Sequence, residues 1–441
     1  MEGITSYNRD GVCPPTFRHA EMLVMLRAEA ATVIDACFQP GFGLRATDKG
    51  AFGPQIWMRD AMLASVAAPP ASLQQTLETM LGYVRETDGV VPYRVESNHH
   101  VRSYALGWLK RFGVDLVSRR KPEPIYRDSP LAVEAIDTVP AMIIAFSQVY
   151  NHLLLDDAGA AGGFLNAHYP TLVRALDADE RYVDPRDGLV ISPELGDWAD
   201  DVRRKGKLSL LNILFERAHN SMSALSNEQG DLVRAKTYLR RSRAMRRSIM
   251  RTFWNPRGFF QAGQHDTRID SPANVLAGLF WPQSRAAARG VLTTAAQTAA
   301  GSGFLRIFDR GYPATMLRTQ FMLAGFSDFT NRHVYPWIAQ VSILARLRRA
   351  RALQRRGNLF AAQTTRLVEG AWADFLAISE VHQRNGSFYE ILHHRTLEPA
   401  DFRIWGVIPI SRSCEGFLCS AATWMAVVRE FETHFGLDLS H

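Results

Sequence analysis

The chain has 441 residues, of which 46% are hydrophobic and 22% charged, so it can bury a large core. Its formal charge of +7 suggests nucleic-acid binding, but the arginines are dispersed, and those at 345–356 indicate a solvated face of an amphipathic helix. No apolar run approaches roughly 18 residues and residues 1–15 lack a signal-peptide core, so we expect a cytoplasmic protein with neither nucleic-acid nor membrane partners.

Helical periodicity dominates the chain, with apolar residues recurring at i, i+3, i+4 and i+7. We predict helices over about 23–37, 73–84, 139–153, 208–225, 231–253, 284–298, 313–326, 335–355, 358–381 and 413–434. Only 89–93 and 403–407 have the character of short strands. The Gly-, Pro- and Asn-rich connectors indicate turns rather than linkers, so we expect one domain over 1–441.

A long, unbroken series of helices predicts an all-α toroid of paired helices, with loops and helix ends lining its centre. An open α-solenoid would show the same periodicity, but no sequence repeat occurs at a fixed spacing of 30–45 residues. The four cysteines, Cys13, Cys37, Cys414 and Cys419, form no CxxC motif or zinc-like spacing. We therefore expect reduced thiols, no metal site and no cofactor.

The first chemical motif is Trp57-Met58-Arg59-Asp60. A tryptophan offers a flat apolar face for a pyranose ring, and Arg59 and Asp60 offer a donor and an acceptor for its hydroxyls. The alternative is that the Arg59–Asp60 pair caps a helix beginning at Ala61.

Two acidic segments precede predicted helices. Asp137, in Glu134-Ala135-Ile136-Asp137-Thr138, is either a helix N-cap or a catalytic acid, and the segment alone favours neither. The second segment contains Asp197, Trp198 and Asp200. We expect it to bind sugar hydroxyls or to supply an acid, because its spacing matches no EF-hand loop.

A third carboxylate, Glu390, ends the loop segment Gly386-Ser387-Phe388-Tyr389-Glu390. Its aromatic neighbours can shield it from bulk water, so it can deprotonate a water molecule; the alternative is an ordinary exposed glutamate. Two carboxylates facing one cavity are what glycosidic bond hydrolysis requires. The pairs His99-His100 and His393-His394 lack a third ligand at a recognisable spacing, so we expect hydrogen-bonding roles for them.

Taken in order, these segments resemble the (α/α)6-barrel glycoside hydrolases over about residues 50–430. They are similar to alkaline/neutral invertases and to bacterial amylo-α-1,6-glucosidase-like and glucosidase I-like proteins. Thr138-Val139 and Ile391-Leu392 depart from the invertase pattern, so the resemblance does not specify sucrose as the substrate. The matching segments are Trp57–Asp60, Gly89–Pro92, Ile136–Val139, Asn331–Trp337, Phe388–Leu392 and Cys419–Ala422.

The resemblance implies an (α/α)6 barrel with long catalytic loops and an inverting, exo-acting glycosidase for an α-glucosidic bond. Asp137 would then be the general acid and Glu390 the general base. Glucoamylase-like barrels carry the acid in a loop similar to 197–201, which makes Asp200 the second candidate. The expected sugar-binding residues are Trp57, Arg59, Asp60, Asp197, Trp198, Tyr335, Trp337 and Tyr389.

Two other functions remain open for the same barrel. Sugar 2-epimerases use histidines for proton transfer, and His382, His393 and His394 are available for that role. A glycan-binding protein that has lost its catalytic pair is the other alternative. In each case the expected partner is a carbohydrate, and the sequence predicts no oligomeric state.

Overall fold

The computed structural model describes residues 17–49, 55–96, 122–126, 135–199, 201–323, 326, 328–404 and 408–436. α-Helices dominate and the strands are short, so the predicted all-α class is confirmed. The helices are α1 (Phe17–Cys37), α2 (Met58–Ala64), α3 (Pro70–Gly82), α4 (Thr138–Asp156), α5 (Ala158–Ala178), α6 (Ser209–Glu228), α7 (Leu232–Phe253), α8 (Ser271–Phe280), α9 (Arg285–Gln297), α10 (Thr319–Leu323), α11 (Pro336–Gln354), α12 (Ala361–Asn385) and α13 (Leu418–Phe435).

Six of these helices contact one another in a closed order. The order is α2, α4, α6, α8, α11 and α13, and α13 contacts α2 again. We call these six the ring helices. The other long helices pack against them: α3 and α5 against α4, α7 against α6, α9 against α8, α12 against α11, and α1 against α13.

The ring helices and their partners differ in how they distribute apolar residues. α4 is buried on nearly all sides along its first three turns, as expected for a helix inside a core. By length and hydropathy alone it resembles a membrane span, but 67% of its apolar window is buried in the fold. α7, in contrast, buries one stripe against α6 and carries arginines on its other faces, which is the pattern of an outer helix.

Short antiparallel strands connect the helices and shape the loops. One three-stranded sheet joins the strand before α2 to two strands that lie between α3 and α4 in sequence, and its register pairs Gln55 with Glu96. A single bridge, Val334 to Leu392, joins the segment before α11 to the loop that carries Glu390. The strands are Phe38–Gln39 with Gly43–Leu44; Gln55–Ile56, Arg94–Glu96 and Glu123–Ile125; Ile191–Ser192 with Gly206–Lys207; Trp254–Asn255, Phe259–Gly263 and Asp266–Ile269; Ala299–Gly301 with Phe304–Leu305; and Asp401–Ile404 with Ile408–Arg412.

Several element predictions were wrong. The sequence did not predict α5 or α8, because glycines and Pro170 interrupt the apolar pattern of α5 and α8 is short. The helix predicted over 313–326 is a 3-10 turn at Ala314–Met316 followed by the short α10. The strand predicted over 89–93 begins only at Arg94, since Gly89 has a φ of 71° and forms a turn. Of the strand predicted over 403–407, residues 403 and 404 belong to the strand Asp401–Ile404, and residues 405–407 fall outside the described residues.

Candidate active site

A cavity opens where the ring helices begin. Four residues that line it stand directly before a ring helix: Trp57 before α2, Asp137 before α4, Tyr335 before α11 and Phe417 before α13. Helix N-termini carry partial positive charge, which favours carboxylates at this place. The other lining residues are Ala46, Arg59, Asp60, Met62, Leu63, Trp198, Leu210, Leu214, Leu276, Phe329, Thr330, Trp337 and Glu390.

Asp137 occupies the cap position of α4, but its side chain does not cap the helix. Instead, Arg59 Nη1 lies 3.3 Å from Asp137 Oδ2, and the Asp137 side chain is only 2% exposed. Arg59 itself belongs to the first turn of α2, which begins at Met58 rather than at Ala61. Asp137 is therefore not a side-chain cap, and Arg59 and Asp60 do not cap a helix that begins at Ala61. The contact between Arg59 and Asp137 joins the ring helices α2 and α4 at the cavity.

Asp60, on α2, is held by a residue of α13, the other ring helix next to α2. The thiol of Cys419, in the first turn of α13, donates to Asp60 Oδ1 with Sγ 2.8 Å away. Burial, the Asp60 carboxylate and the nearby Glu390 raise the pKa of Cys419 well above its usual value. The thiol therefore stays protonated and remains a donor, so Cys419 fixes the orientation of Asp60.

Glu390 lines the same cavity from the loop after α12, and it is only 7% exposed. Its amide donates to the Cys414 carbonyl at 2.9 Å, and the Ser420 hydroxyl donates to the Tyr389 carbonyl at 2.8 Å. Both bonds involve the peptide group between Tyr389 and Glu390, which is thus fixed to α13 and to the segment before it. The ring of Tyr389, predicted to bind sugar, is turned to Arg412 and does not line the described cavity.

Trp57 is positioned by a buried polar network that the sequence analysis missed. Its Nε1 donates to Gln55 Oε1 at 2.8 Å, and Gln55 Nε2 donates to Glu96 Oε1 at 3.3 Å. Arg94 forms an ion pair with Glu96 and lies 5.3 Å from the Trp57 ring centre, as does Arg59. The available signal was the Arg94-x-Glu96 spacing, because residues two apart on a strand share a face.

At the start of α11, aromatic side chains form another part of the cavity wall. The Trp198 ring meets Tyr335 and Trp337 edge-on, with ring centres 5.2 and 5.8 Å apart. The Thr330 amide donates to Asp201 Oδ2 at 3.1 Å, which ties the loop bearing Trp198 to the segment that leads into α11. Trp198 and Trp337 thus lie together although their elements are far apart in sequence.

Asp197 lies behind this wall rather than in it. Its side chain is 1% exposed and forms an ion pair with Arg204, whose Nη1 also lies 3.1 Å from Asp270 Oδ2. Burial would lower the pKa of Arg204, but Asp197, Tyr312 and Asp270 raise it above its usual value. Burial also raises the pKa of Asp270 to about 6, although Arg204 opposes that shift. Arg204 thus joins the Trp198 loop to Asp270, the N-cap residue of α8.

The remaining candidates do not reach the described cavity. His382, His393 and His394 do not line it, and His382 instead contacts Gln340, with Nε2 3.1 Å from the amide nitrogen. Within the ranges described, no group of histidine, cysteine or acidic residues is arranged to hold a metal ion. Asp200, the second candidate acid, lies outside the described residues, as do Cys13, His99, His100 and Glu134.

Comparison with known proteins shows the fold. No protein family and no curated protein matches the sequence. Among solved structures, the GH63 mannosylglycerate hydrolase from Thermus thermophilus with glucose is 19% identical, with a TM-score of 0.58 over 92% of this chain and 100% of that chain. A glycosidase in complex with glucose is 14% identical, with a TM-score of 0.60 over 95% and 99%.

A rhamnosidase from Klebsiella oxytoca with rhamnose bound is 17% identical, with a TM-score of 0.57 over 97% of this chain and 66% of that chain. The chain therefore has a fold shared with several glycosidases. The resemblance stated from the sequence is confirmed at the level of the fold.

Proposed function

We propose that the protein is an inverting, exo-acting glycoside hydrolase, and that its closed ring of paired helices is an (α/α)6 barrel. The bond we expect it to cleave is an α-glucosidic bond in an oligosaccharide or small glucoside. The fold that the chain shares with several glycosidases supports this class of enzyme. A shared fold does not by itself imply a shared activity, so the residues of the cavity have to support the proposal.

The observation that carries the proposal is that Asp137 and Glu390 line one cavity together with Arg59, Asp60 and three tryptophans. Asp137 would protonate the glycosidic oxygen as the bond to the leaving group breaks. Glu390 would take a proton from a water molecule that attacks the anomeric carbon from the opposite face. An inverting enzyme needs about 6.5–9.5 Å between the two carboxyl groups so that this water fits.

The ion pair between Arg59 and Asp137 sets a condition on this mechanism. A guanidinium beside a carboxylate favours its ionised form, whereas a general acid must be protonated. We propose that the sugar hydroxyls draw Arg59 away from Asp137 when substrate binds. Asp137, which is already only 2% exposed, would then be buried without its cation, and desolvation favours the protonated acid.

The activity test is a panel of glycosides followed by identification of the released anomer. Sucrose, maltose, isomaltose and glucosylglycerate test for cleavage of an α-glucosidic bond. Mannosylglycerate is included because one structural neighbour is a mannosylglycerate hydrolase. Proton NMR of the fresh product should show β-glucose from an α-glucoside. Release of α-glucose would contradict inversion, and interconversion of a free monosaccharide would favour the epimerase alternative.

The residue test compares Asp137→Asn and Glu390→Gln with a matched control. Each should lower kcat by about 10²–10⁴-fold, which is the usual contribution of a general acid or base. Glu398→Gln is the control, because Glu398 is exposed and lies in the same loop region. Near-wild-type turnover in Asp137→Asn would remove its assignment as the acid and leave Asp200 as the candidate.

A further inference from the structure

The outer helix α7 has eight cations and no acidic residue along its 22 residues. Three of the eight form ion pairs with carboxylates outside the helix: Arg234 with Asp231, Arg241 with Glu180 and Arg246 with Glu216. The other five are exposed to solvent: Lys236, Arg240, Arg243, Arg247 and Arg251.

The five exposed cations lie on one side of α7, and we call them the cationic face. They follow one another at intervals of four, three, four and four residues, which is one row along a helix. The row is about 22 Å long, at about 1.5 Å per residue. Among the residues that the structure describes, no carboxylate forms an ion pair with the cationic face, and its only side-chain hydrogen bond joins Arg251 to Ser248.

A solvated helix face is the simplest alternative for such a cluster. On solvated faces acidic and basic residues tend to alternate, because opposite charges three or four residues apart stabilise a helix and like charges destabilise it. The cationic face contains only like charges at these spacings, so their repulsion opposes helix formation. A bound polyanion would remove this repulsion, since it places an anion beside each cation.

The chemistry of the cationic face favours oxyanions on a linear chain. Four of its five cations are arginines, whose planar guanidinium can donate two parallel hydrogen bonds to a carboxylate or a sulfate group. Successive cations are about 4.5–6 Å apart along the helix axis, which is comparable with the length of one sugar residue in an extended glycan. A single row of cations therefore fits an extended acidic chain.

α7 lacks two features that other polyanion-binding surfaces use. Its aromatic residues, Tyr238 and Phe253, are buried, so α7 offers no ring for stacking on the bases of a single-stranded nucleic acid. Its apolar stripe packs against α6, so α7 cannot insert that stripe into a lipid surface.

A second cavity lies next to the C-terminal half of α7. Asp187 lines it, and the Asp187 carbonyl accepts a hydrogen bond from Ser248 Oγ at 2.7 Å. The Asp187 carboxylate is neutralised by Lys207, whose Nζ lies 2.7 Å from Oδ2. Lys205 also lines this cavity; it is exposed and forms no ion pair with any described residue, so it is available to an anion.

The second cavity shares a wall with the candidate active site. Arg204 and Leu208 line the second cavity, whereas Trp198 and Leu210, from the same stretch of chain, line the first. A chain that lies along α7 and through the second cavity would therefore end beside the wall of the candidate active site.

We infer that the cationic face of α7 binds a linear acidic glycan, an oligo- or polysaccharide that carries carboxylate or sulfate groups. The end of the same glycan would enter the cavity that contains Asp137 and Glu390. The choice of a glycan over other polyanions rests on the proposed glycosidase function, and the inference adds the charge of the substrate and a binding surface outside the active site.

The binding test uses fluorescently labelled dextran sulfate, with neutral dextran as its uncharged counterpart, because both are chains of α-linked glucose. Dextran sulfate should bind more tightly than dextran. If five cations bind sulfate groups, its affinity should fall by about 100-fold between 50 and 200 mM NaCl, through release of counterions. Equal affinities for the two chains would overturn the inference.

Two double variants that lose the same charge test the location of the site. Arg243→Gln with Arg247→Gln should weaken binding of dextran sulfate and reduce the salt effect to about 20-fold, since three cations of the face remain. The control, Arg355→Gln with Arg366→Gln, removes two exposed arginines near α11 and α12 and should leave binding unchanged. Equal losses of affinity in the two variants would overturn the assignment to α7.

The same assay tests the other possible occupants. Tighter binding of a short DNA duplex or of phosphatidylserine vesicles than of dextran sulfate would overturn the choice of a glycan. Because binding is measured without turnover, failure to hydrolyse any glycoside would remove the proposed function but would not change these results.

Discussion

Replacing Arg204 with methionine removes the buried cation that joins the Trp198 loop to α8. Arg204 is 2% exposed, and its two carboxylate partners, Asp197 and Asp270, are 1% and 0% exposed. The Arg204 guanidinium carbon lies 5.0 Å from the centre of the Phe308 ring, and methionine, which is apolar and unbranched, can fill much of that space. The change therefore tests the charge rather than the volume, and it leaves two buried carboxylates without their common partner.

The expected loss follows from this burial. Removing one partner of a buried ion pair costs about 3–5 kcal/mol, because the remaining charge is left in the interior. For 441 residues, an unfolding entropy of about 2.1 cal/mol/K per residue makes 1 kcal/mol equivalent to about 1 °C. Tm at pH 7.5 should thus fall by about 3–5 °C. The proposed glycosidase activity should fall as well, since Trp198 adjoins Asp197.

The pH dependence gives a sharper test. With a pKa of about 6, folded Asp270 binds its proton more tightly than the unfolded chain, whose aspartates titrate near about 3.9. Its contribution to the unfolding free energy therefore falls as pH rises from about 4 to 6. Without Arg204 this pKa rises further, so protonation at pH 5 should restore part of the stability of the variant.

Calorimetric unfolding at pH 5 and pH 7.5 measures both effects. The difference in Tm between wild type and Arg204→Met should be smaller at pH 5. A loss below about 1 °C at pH 7.5, or an equal loss at both pH values, would refute the reasoning.

Three further predictions concern other parts of the fold. Cys419→Ala should lower kcat/KM by about two- to tenfold by removing the donor to Asp60, and Cys419→Ser, which keeps a donor, should restore it. Gly278→Ala should cost about 1–3 kcal/mol in a urea titration, because the added methyl would lie 2.3 Å from a valine side chain. Gly162→Ala, with no atom within 4 Å, is its control and should be neutral or stabilising. Burial lowers the pKa of His382 to about 3, so unfolding free energy should fall as pH drops below about 6.5, and less steeply in His382→Gln. If the unfolding free energy of His382→Gln depended on pH as steeply as that of the wild type, the lowered pKa of His382 would be contradicted.

Elements whose sequence signal is local could be predicted from the sequence. The apolar pattern of α4 or α6 repeats within one helix, so the helix can be recognised without its neighbours. α5 and α8 escaped the same analysis, because glycines, Pro170 and a short length weaken the period while tertiary contacts still stabilise the helix. The motif Trp57–Asp60 was likewise visible, since its three functional side chains are close in sequence.

The tertiary structure alone decided which side chains share a cavity. Asp197 and Trp198 are adjacent in sequence, yet Trp198 lines the cavity and Asp197 is buried against Arg204. No local pattern could separate them, because the cation and Asp270 that hold Asp197 come from other elements. The amino-acid sequence determined the helices and the carboxylates at their ends. Closure of the ring helices brought Asp137 and Glu390 to one cavity, since only contacts between distant helices fix which helix ends meet.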